Sequence, residues 1–231
     1  MKPTFKQITP SLFELNWDKE VNDELLQKQL HFKELLLKDF RTKIIDIRLG
    51  FKTLSFQTSK QMDAAILTNW LRFVTEEHHL LPLSDKIWHL PVCYEKEMAA
   101  DLISLTRAKN MSPEELIFLH STARYRIHFY GFLPGFMYLN GLPEILHTPR
   151  KKSPSFYVPK GSVAIGGSQT GIYPSDSPGG WHLIGNCPSI LFDAKDKNSV
   201  FAAAGDSVEF YPISTKEFQN LERHQSKPNS K

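Results

Sequence analysis

The sequence predicts an α+β protein with a small N-terminal α/β domain of the ferredoxin-like type followed by a β-barrel domain. Two observations support this class. In residues 1–85, strand-like runs alternate with two amphipathic helical patterns. In the last half of the chain, glycine and proline recur every few residues between short apolar runs, a spacing typical of a barrel rather than of a parallel sheet. We place the domain boundary between residues 85 and 86, within the turn-forming run Leu80–Lys86.

The first domain shows the element order of a split βαβ sheet. Ser11–Trp17, Lys43–Gly50 and Lys52–Thr58 are predicted strands, and Gly50-Phe51 suits a hairpin turn. One helix is predicted from apolar residues at the helical period, namely Val21, Leu25, Phe32, Leu36 and Phe40. A second helix is predicted in the same way from Met62, Ile66, Trp70 and Phe73. A further strand near Lys86–Val92 completes the ferredoxin-like order.

Two helices are predicted at the start of the second domain. The first covers Glu95–Asn110. The second begins at Pro113 and ends near His120, because Ser112 is a suitable N-cap and Glu115 completes a capping box. Short strands are then predicted in the runs YRIHFYGF, SFYVP, GSVAI, GIYP, WHLIG, SILFD and DSVEFYPI. The polar C-terminal run ERHQSKPNSK is predicted to be a frayed tail.

Composition excludes several classes of protein. The net charge of +3 is small, and basic residues are scattered apart from Arg150-Lys151-Lys152, so we expect no nucleic-acid partner. Cys93 and Cys187 form neither a disulfide framework nor a metal-ligand spacing. Adjacent His78-His79 are more typical of a solvated surface than of a metal site. With no signal-peptide pattern and no apolar run of about 18 residues, we expect a cytoplasmic protein without a membrane partner.

A glycine-rich segment, Val158–Trp181, holds six of the twelve glycines. It matches neither a phosphate-binding Walker loop nor a dinucleotide fingerprint. One interpretation is a pair of tight turns in a barrel. The other is a ligand cradle, in which glycines let Gln169, Thr170 and backbone N–H groups approach an anionic or amide substrate.

A second such segment, Tyr130–Leu142, mixes glycine, proline and aromatic residues. Phe132, Phe136 and Tyr138 either fill the barrel core or form the wall of a pocket. No Ser-His-Asp order, nucleophile elbow or paired-carboxylate motif is present in the sequence. This absence argues against a self-sufficient hydrolase.

The runs GFLPGFMYL, TPR, VPKGSVAIGGSQTGIYPSDSPGGWHLIG and AGDSVEFYPI resemble the family that joins the B-type subunit of 5-oxoprolinase, the kinase inhibitor KipI and allophanate hydrolase subunit 1. The resemblance implies that the second domain is a cyclophilin-like barrel. It also implies a partner with a related barrel (the C-type subunit) and a third component (the A-type subunit). Together they would hydrolyse 5-oxoproline to glutamate with ATP and Mg, in a cleft shared by the two barrels.

The resemblance also implies functional residues. His120 is the expected catalytic acid or base, and the expected substrate-binding residues are Phe132, Phe136, Arg150, Gln169, Thr170 and Tyr173. Structural loop positions are expected at Gly131, Gly135, Gly161, Gly166, Gly179 and Gly180. Ser155 and Asn186 stand where the family usually has arginine, so phosphate or carboxylate groups would bind less tightly or would use Arg150 and Lys160 instead.

Two alternatives to the enzyme subunit stay open at this point. A KipI-like protein would bind a sporulation histidine kinase through an exposed patch. A component of allophanate hydrolase usually accompanies a fused carboxylase, and this chain carries none. The sequence favours the 5-oxoprolinase subunit.

Overall fold

The computed structural model describes residues 2–74, 80, 82–224 and 227–230, in two units, Met1–Leu83 and Ser84–Lys231. The sequence places the division two residues later. His78-His79 lie outside the described residues. Helices and sheets occur in both units, which confirms the α+β class. No helix in the described part of the chain is long and apolar enough to cross a membrane.

The first unit is an antiparallel sheet with two helices. Its elements are β1 (Thr4–Thr9), β2 (Leu12–Asn16), α1 (Asp23–Phe40), β3 (Ile44–Leu49), β4 (Thr53–Thr58) and α2 (Ala64–Phe73), and the strand order is β1-β2-β4-β3. Helix α1 begins where Asn22 Oδ1 accepts a hydrogen bond from the Leu25 N–H at 2.9 Å. Phe13, Leu15 and Phe56 of the sheet pack in one core with the buried side of α1.

Two expectations for this unit are wrong. The strand at the outer edge is β1, which was not predicted, whereas the predicted strand near Lys86–Val92 pairs in the second unit. In α2, the buried residues are Leu67 and Leu71, whereas Ile66 and Phe73 are exposed. The stripe of apolar residues was read one position out of phase, because aromatic and aliphatic residues occur on both sides of this short helix.

The second unit is built on a mixed sheet. Its strands are β5 (Ile87–Val92), β6 (Arg124–Tyr130), β7 (Met137–Asn140), β8 (Ser155–Val158), β9 (Ser162–Gly166), β10 (Gln169–Ile172), β11 (Ser177–Gly179), β12 (His182–Asn186), β13 (Ser207–Pro212) and β14 (Asn229–Ser230). Among the described residues, the main sheet has the order β12-β9-β10-β7-β6-β13-β5-β14, with β13 and β5 parallel. Strands β8 and β11 form a separate hairpin.

The main sheet curves back on itself. The Cys93 N–H donates to Asn186 O at 2.8 Å, and the Asn186 N–H donates to Cys93 O at 2.9 Å. These two bonds join the end of β5 to the end of β12, so strands from opposite ends of the sheet order meet. Leu90, Tyr125 and Ile165 lie in the core that this sheet encloses. The specific likeness to cyclophilin stays a prediction.

The helices of this unit differ in part from expectation. They are α3 (Leu102–Ala108), α4 (Pro113–Thr122) and α5 (Thr215–His224). The start of α4 is as predicted, because Ser112 Oγ accepts from the Glu115 N–H at 3.1 Å. Helix α3 is shorter than the predicted Glu95–Asn110, since Glu95 instead accepts hydrogen bonds from the backbone and hydroxyl of Thr215.

Two further expectations near the C-terminus are wrong. The run SILFD forms only a single bridge, Phe192 to Val200, within the described residues. The C-terminal run is not wholly frayed: Glu222–His224 end α5, and Asn229–Ser230 pair with β5. The residues of this run are polar, and they fold because α5 buries Phe218 and β14 completes an edge.

Candidate functional site

A pocket of about 310 Å³ lies on the second unit where the two glycine-rich segments meet. Its lining residues are Phe132, Phe136, Tyr138, Arg150, Lys151, Pro154, Tyr173, Pro178, Gly179, Gly180 and Trp181. Six of them are predicted site residues. Two other pockets, of about 410 and 420 Å³, hold none of the predicted site residues in their described linings. We therefore take the smaller pocket as the candidate site.

Five aromatic rings, of Phe132, Phe136, Tyr138, Tyr173 and Trp181, form the wall of this pocket, and we call them the aromatic cluster. Phe136 lies at its centre, with ring centroids 5.0 Å from Tyr138, 5.2 Å from Tyr173 and 5.5 Å from Trp181. All three contacts are edge-to-face, the arrangement that aromatic quadrupoles favour. The wall is therefore a rigid apolar surface that suits a flat, uncharged part of a ligand.

Two cations at the pocket differ in their partners. Lys151 Nζ lies 2.5 Å from Asp101 Oδ2 and donates to Ser155 Oγ at 3.2 Å. Arg150 lines the pocket with its guanidinium carbon 5.7 Å from the centre of the Trp181 indole ring. Among the described residues, Arg150 has no carboxylate partner. The guanidinium thus keeps its donors for a ligand, and it matches a carboxylate in shape.

The tyrosine hydroxyls of the pocket stay protonated near neutral pH. Burial raises the pKa of Tyr173, although a hydrogen bond from the Trp181 backbone and the nearby Arg150 charge lower it in part. Burial also raises the pKa of Tyr138, and Arg150 again acts in the opposite direction. These hydroxyls can donate hydrogen bonds to a ligand, but they are poorly suited to act as bases.

The loop that carries Phe132 has an unusual backbone. Phe132 has φ of +66°, a conformation rare for a bulky residue. The Leu133 N–H donates to Gly131 O at 2.8 Å, which makes Phe132 the centre of a γ-turn. The loop is closed by bonds from Gly131 N to Phe136 O at 3.1 Å and from Phe136 N to Leu133 O at 3.0 Å.

The predicted loop glycines are required for two reasons, a backbone conformation with positive φ at some positions and a close approach of a neighbouring side chain at others. Gly135 and Gly161 have φ of +85° and +82°, a region that favours glycine. At Gly166 the reason is space, since a Cβ would lie 2.5 Å from the Trp181 ring. Gly179 and Gly180 line the pocket, and Gly131 precedes the γ-turn residue.

His120 lies in the interior and does not line the pocket. Its Nε2 is 2.9 Å from Thr170 Oγ1, and its Nδ1 is 2.8 Å from the Tyr94 hydroxyl. The Thr170 hydroxyl donates to Ala164 O at 3.0 Å, so it accepts from His120 Nε2–H, and Nδ1 accepts from Tyr94. Burial lowers the pKa of His120 to about 3.

This geometry gives His120 and Thr170 positions that differ from those expected for a catalytic residue and a substrate-binding residue. Both side chains are buried and are bonded to each other inside the second unit. His120 is therefore a neutral imidazole with both ring nitrogens hydrogen-bonded, and its bond to Thr170 links α4 to β10. The sequence did not predict this burial, because a histidine near the end of a helix carries no local signal of the apolar surroundings that it meets in the folded unit.

Gln169 is also placed differently from expectation. The sequence predicts its side chain at an open cleft, but it is 2% exposed and is not part of the pocket lining. Its Nε2 is buried with no hydrogen-bond partner in the described structure. Gln169 begins β10 and pairs with Gly166 of β9. Because neighbouring side chains of a strand point to opposite faces of the sheet, Gln169 lies on the other face from Thr170.

The residues at the usual arginine positions have structural contacts. Ser155 Oγ accepts from Lys151, and Asn186 Nδ2 donates to Lys160 O at 3.0 Å. Lys160, the suggested substitute, donates its backbone N–H to Asp176 and is absent from the described lining. Of the two basic residues expected to bind an anionic group, Arg150 and Lys160, only Arg150 belongs to the described pocket lining.

The pocket lining also holds four residues that were not predicted for the site, namely Lys151, Pro154, Pro178 and Trp181. Trp181 ends the glycine-rich segment, which was the available signal. Lys151 follows Arg150 directly, but its pairing with Asp101 depends on a contact across 50 positions of the chain. Within the described residues, no group of three or more His, Cys, Asp or Glu side chains could hold a metal ion.

Comparisons with known proteins identify the family of this chain. Residues 3–202 match the family model for the carboxyltransferase domain, subdomain C and D. The chain is 40% identical over 167 residues to the B subunit of 5-oxoprolinase from Haemophilus influenzae, covering 72% of this chain and 78% of that protein.

Solved structures show the same fold. The crystal structure of TTHA0988 superposes with a TM-score of 0.74 at 27% identity; the match covers 91% of this chain but spans only 40% of that longer protein. The Kluyveromyces lactis urea carboxylase gives a TM-score of 0.80 at 16% identity, covering 99% of this chain and 24% of that one, which shows the fold alone. The chain therefore belongs to the carboxyltransferase-domain family of subdomains C and D, the family that includes proteins named as the B subunit of 5-oxoprolinase.

Proposed function

We propose that this chain is a subunit of an ATP-dependent 5-oxoprolinase complex and that the aromatic pocket binds 5-oxoproline. The name of the Haemophilus influenzae relative supports the role as a subunit. The observation that carries the pocket assignment is Arg150, a cation with no carboxylate partner among the described residues, at the rim of an aromatic wall.

The chemistry of 5-oxoproline suits these groups. It is a flat five-membered lactam with one carboxylate. Arg150 would pair with the carboxylate through two parallel N–H···O bonds. The aromatic cluster would pack on the ring, and the Tyr138 or Tyr173 hydroxyl would donate to the lactam oxygen.

The reaction requires more than this pocket supplies. Hydrolysis of 5-oxoproline with ATP and two water molecules gives glutamate, ADP and phosphate, with the lactam oxygen leaving in the phosphate. A lactam is unreactive, so phosphorylation of its oxygen creates the leaving group, and catalysis consists largely of positioning and charge stabilisation. The described lining contains no Asp, Glu, His or Cys to act as a base.

We therefore place ATP, Mg and the acid–base groups on partner subunits. The described pocket lining contains no carboxylate to hold Mg beside a nucleotide, which supports this placement. The partners are a second cyclophilin-like subunit that would cover the pocket and a third subunit. Together they would form a hetero-oligomer in the cytoplasm.

Reconstitution tests this function. The purified chain alone is expected to show no ATP-dependent release of glutamate from 5-oxoproline, and addition of both partner subunits is expected to produce it. Turnover by the lone chain at about one per second or more would contradict the need for partners. A three-subunit complex that forms but does not hydrolyse 5-oxoproline would contradict the proposed substrate. A histidine kinase recovered in place of the subunits would favour the KipI-like alternative.

A further inference from the structure

We propose that Phe132 determines the ring size of the ligand that the pocket accepts. This inference rests on the proposed function, because it treats the pocket as a site for a lactam carboxylate. It assigns a specificity-determining role to one residue of the aromatic cluster.

The backbone of Phe132 is held in a costly conformation. A residue with a Cβ at φ of +66° and a bulky ring is strained, and a γ-turn with positive φ is rare for the same reason. The bonds from Gly131 to Phe136 and from Phe136 to Leu133 close the loop around this turn. Gly135 packs closely on Phe192, since a Cβ added at Gly135 would lie 2.5 Å from Phe192 Cβ. The surrounding loop therefore imposes the conformation of Phe132.

The Phe132 side chain buries little surface on folding, so burial does not offset the backbone strain. Phe132 is 60% exposed, whereas Phe136, four residues later, is buried. Its ring meets Phe136 and Tyr173 edge-to-face, at 5.6 and 6.2 Å between centroids. Strained residues that bury little surface are found where they contact ligands. A rim position over the pocket accounts for both the strain and the exposure.

A rim ring of this kind limits the size of the ligand. Arg150 lies over the Trp181 ring, and Phe136 contacts both Trp181, at 5.5 Å, and Phe132, at 5.6 Å between centroids, so Phe132 lies one ring further along the same wall. A ligand whose carboxylate is paired with Arg150 would have its ring against this wall. One additional methylene is discriminated by about 10- to 200-fold in an apolar pocket of fixed shape. Phe132 would therefore exclude a six-membered lactam.

The test compares two ligands and four proteins. Binding of 5-oxoproline and of its six-membered homologue, 6-oxopiperidine-2-carboxylate, is measured by calorimetry with the full chain and with Phe132→Gly, Phe132→Ala and Phe156→Ala. Phe156 is the matched control, since it is 99% exposed and outside the described pocket lining. Melting temperatures are measured for all four proteins.

We expect the full chain and Phe156→Ala to prefer 5-oxoproline by at least tenfold. Both Phe132 variants should weaken 5-oxoproline binding by about tenfold and reduce the preference to less than threefold. Phe132→Gly should melt at or above the temperature of Phe132→Ala, because glycine tolerates positive φ. An unfolded variant would be recognised by its melting curve, and Phe132→Leu would then supply the measurement.

The outcomes separate the two proposals. If the full chain binds neither lactam, the pocket assignment under the proposed function is wrong and the role of Phe132 is wrong with it. If the full chain binds 5-oxoproline and the folded Phe132 variants keep its affinity and its preference, the pocket assignment stands and the role of Phe132 is overturned.

Discussion

The guanidinium carbon of Arg150 lies 5.7 Å from the centre of the Trp181 indole ring. This cation–π contact holds the arginine at the pocket without using its N–H donors. The next residue, Lys151, is instead paired with Asp101. Two adjacent cations thus have different roles, one in the fold and one available to an anionic ligand.

The packing of Trp181 gives a first prediction. Gly166→Ala should place a methyl group 2.5 Å from the Trp181 ring carbons, destabilise the chain by about 1–3 kcal/mol through overpacking and weaken ligand binding. Gly167→Ala is the control, because Gly167 has φ of +67° but no atom within 4 Å of an added Cβ. It should cost about 1–2 kcal/mol of backbone strain and leave binding unchanged. Urea unfolding and calorimetry measure both; equal binding losses in the two variants would contradict the role of Gly166.

His120 gives a prediction about pH. Its folded pKa of about 3 lies below its ordinary value of 6.5, so the unfolded chain binds an additional proton between these values. The His120 contribution to stability is therefore complete above about pH 6.5 and is lost as the pH falls towards 3, by about 1.4 kcal/mol per pH unit.

Two measurements check this sign. Urea unfolding between pH 7.5 and 5 should show a shallower loss of stability in His120→Gln than in the unchanged chain. Nuclear magnetic resonance of the unchanged chain should find no titration of the His120 ring between pH 8 and 5. A ring that titrates near pH 6.5 would disprove the buried neutral state, even if the variant fails to fold.

The buried amide of Gln169 gives a third prediction. Its Nε2 has no partner in the described structure, and an unpaired buried donor costs about 1–3 kcal/mol. Gln169→Met, which has a similar volume, should unfold at an equal or higher urea concentration. Gln169→Ala should be destabilised by about 2–4 kcal/mol because it leaves a cavity. Neither substitution should change ligand affinity by more than about twofold. A tenfold loss of affinity in a stable Gln169→Met variant would contradict this prediction and show that Gln169 contributes to ligand binding.

Local signals in the sequence predicted individual helices and strands better than they predicted which strands pair with each other. Ser112 and Glu115 fixed the start of α4, because a capping box acts within one turn of helix. The assignment of Ile87–Val92 to the first sheet was wrong, because its pairing with β13 joins residues more than 100 positions apart. Strand β1 was missed because its burial pattern is almost entirely exposed.

The pocket was predicted only in part, because its lining also depends on contacts between distant parts of the chain. Glycine and aromatic residues in the segment Tyr130–Leu142 indicated a wall that includes Phe132, Phe136 and Tyr138. Burial of His120 and Gln169 depends on contacts with distant parts of the chain, such as the bond from His120 to Thr170, which no local pattern encodes. Residue type alone could not separate a polar group that faces a ligand from one that faces the core.

The most direct test of the central claim is the affinity of the full chain for 5-oxoproline and for 2-pyrrolidinone, the same ring without a carboxylate, with and without Arg150. We predict that Arg150→Ala weakens 5-oxoproline binding ten- to hundredfold, from about 1.5–3 kcal/mol of lost charged hydrogen bonds, and leaves 2-pyrrolidinone binding unchanged. The neighbouring Lys152→Ala, outside the described pocket lining, should alter neither. Equal 5-oxoproline affinities for the Arg150→Ala and Lys152→Ala variants would contradict the claim that Arg150 holds the substrate carboxylate in this pocket.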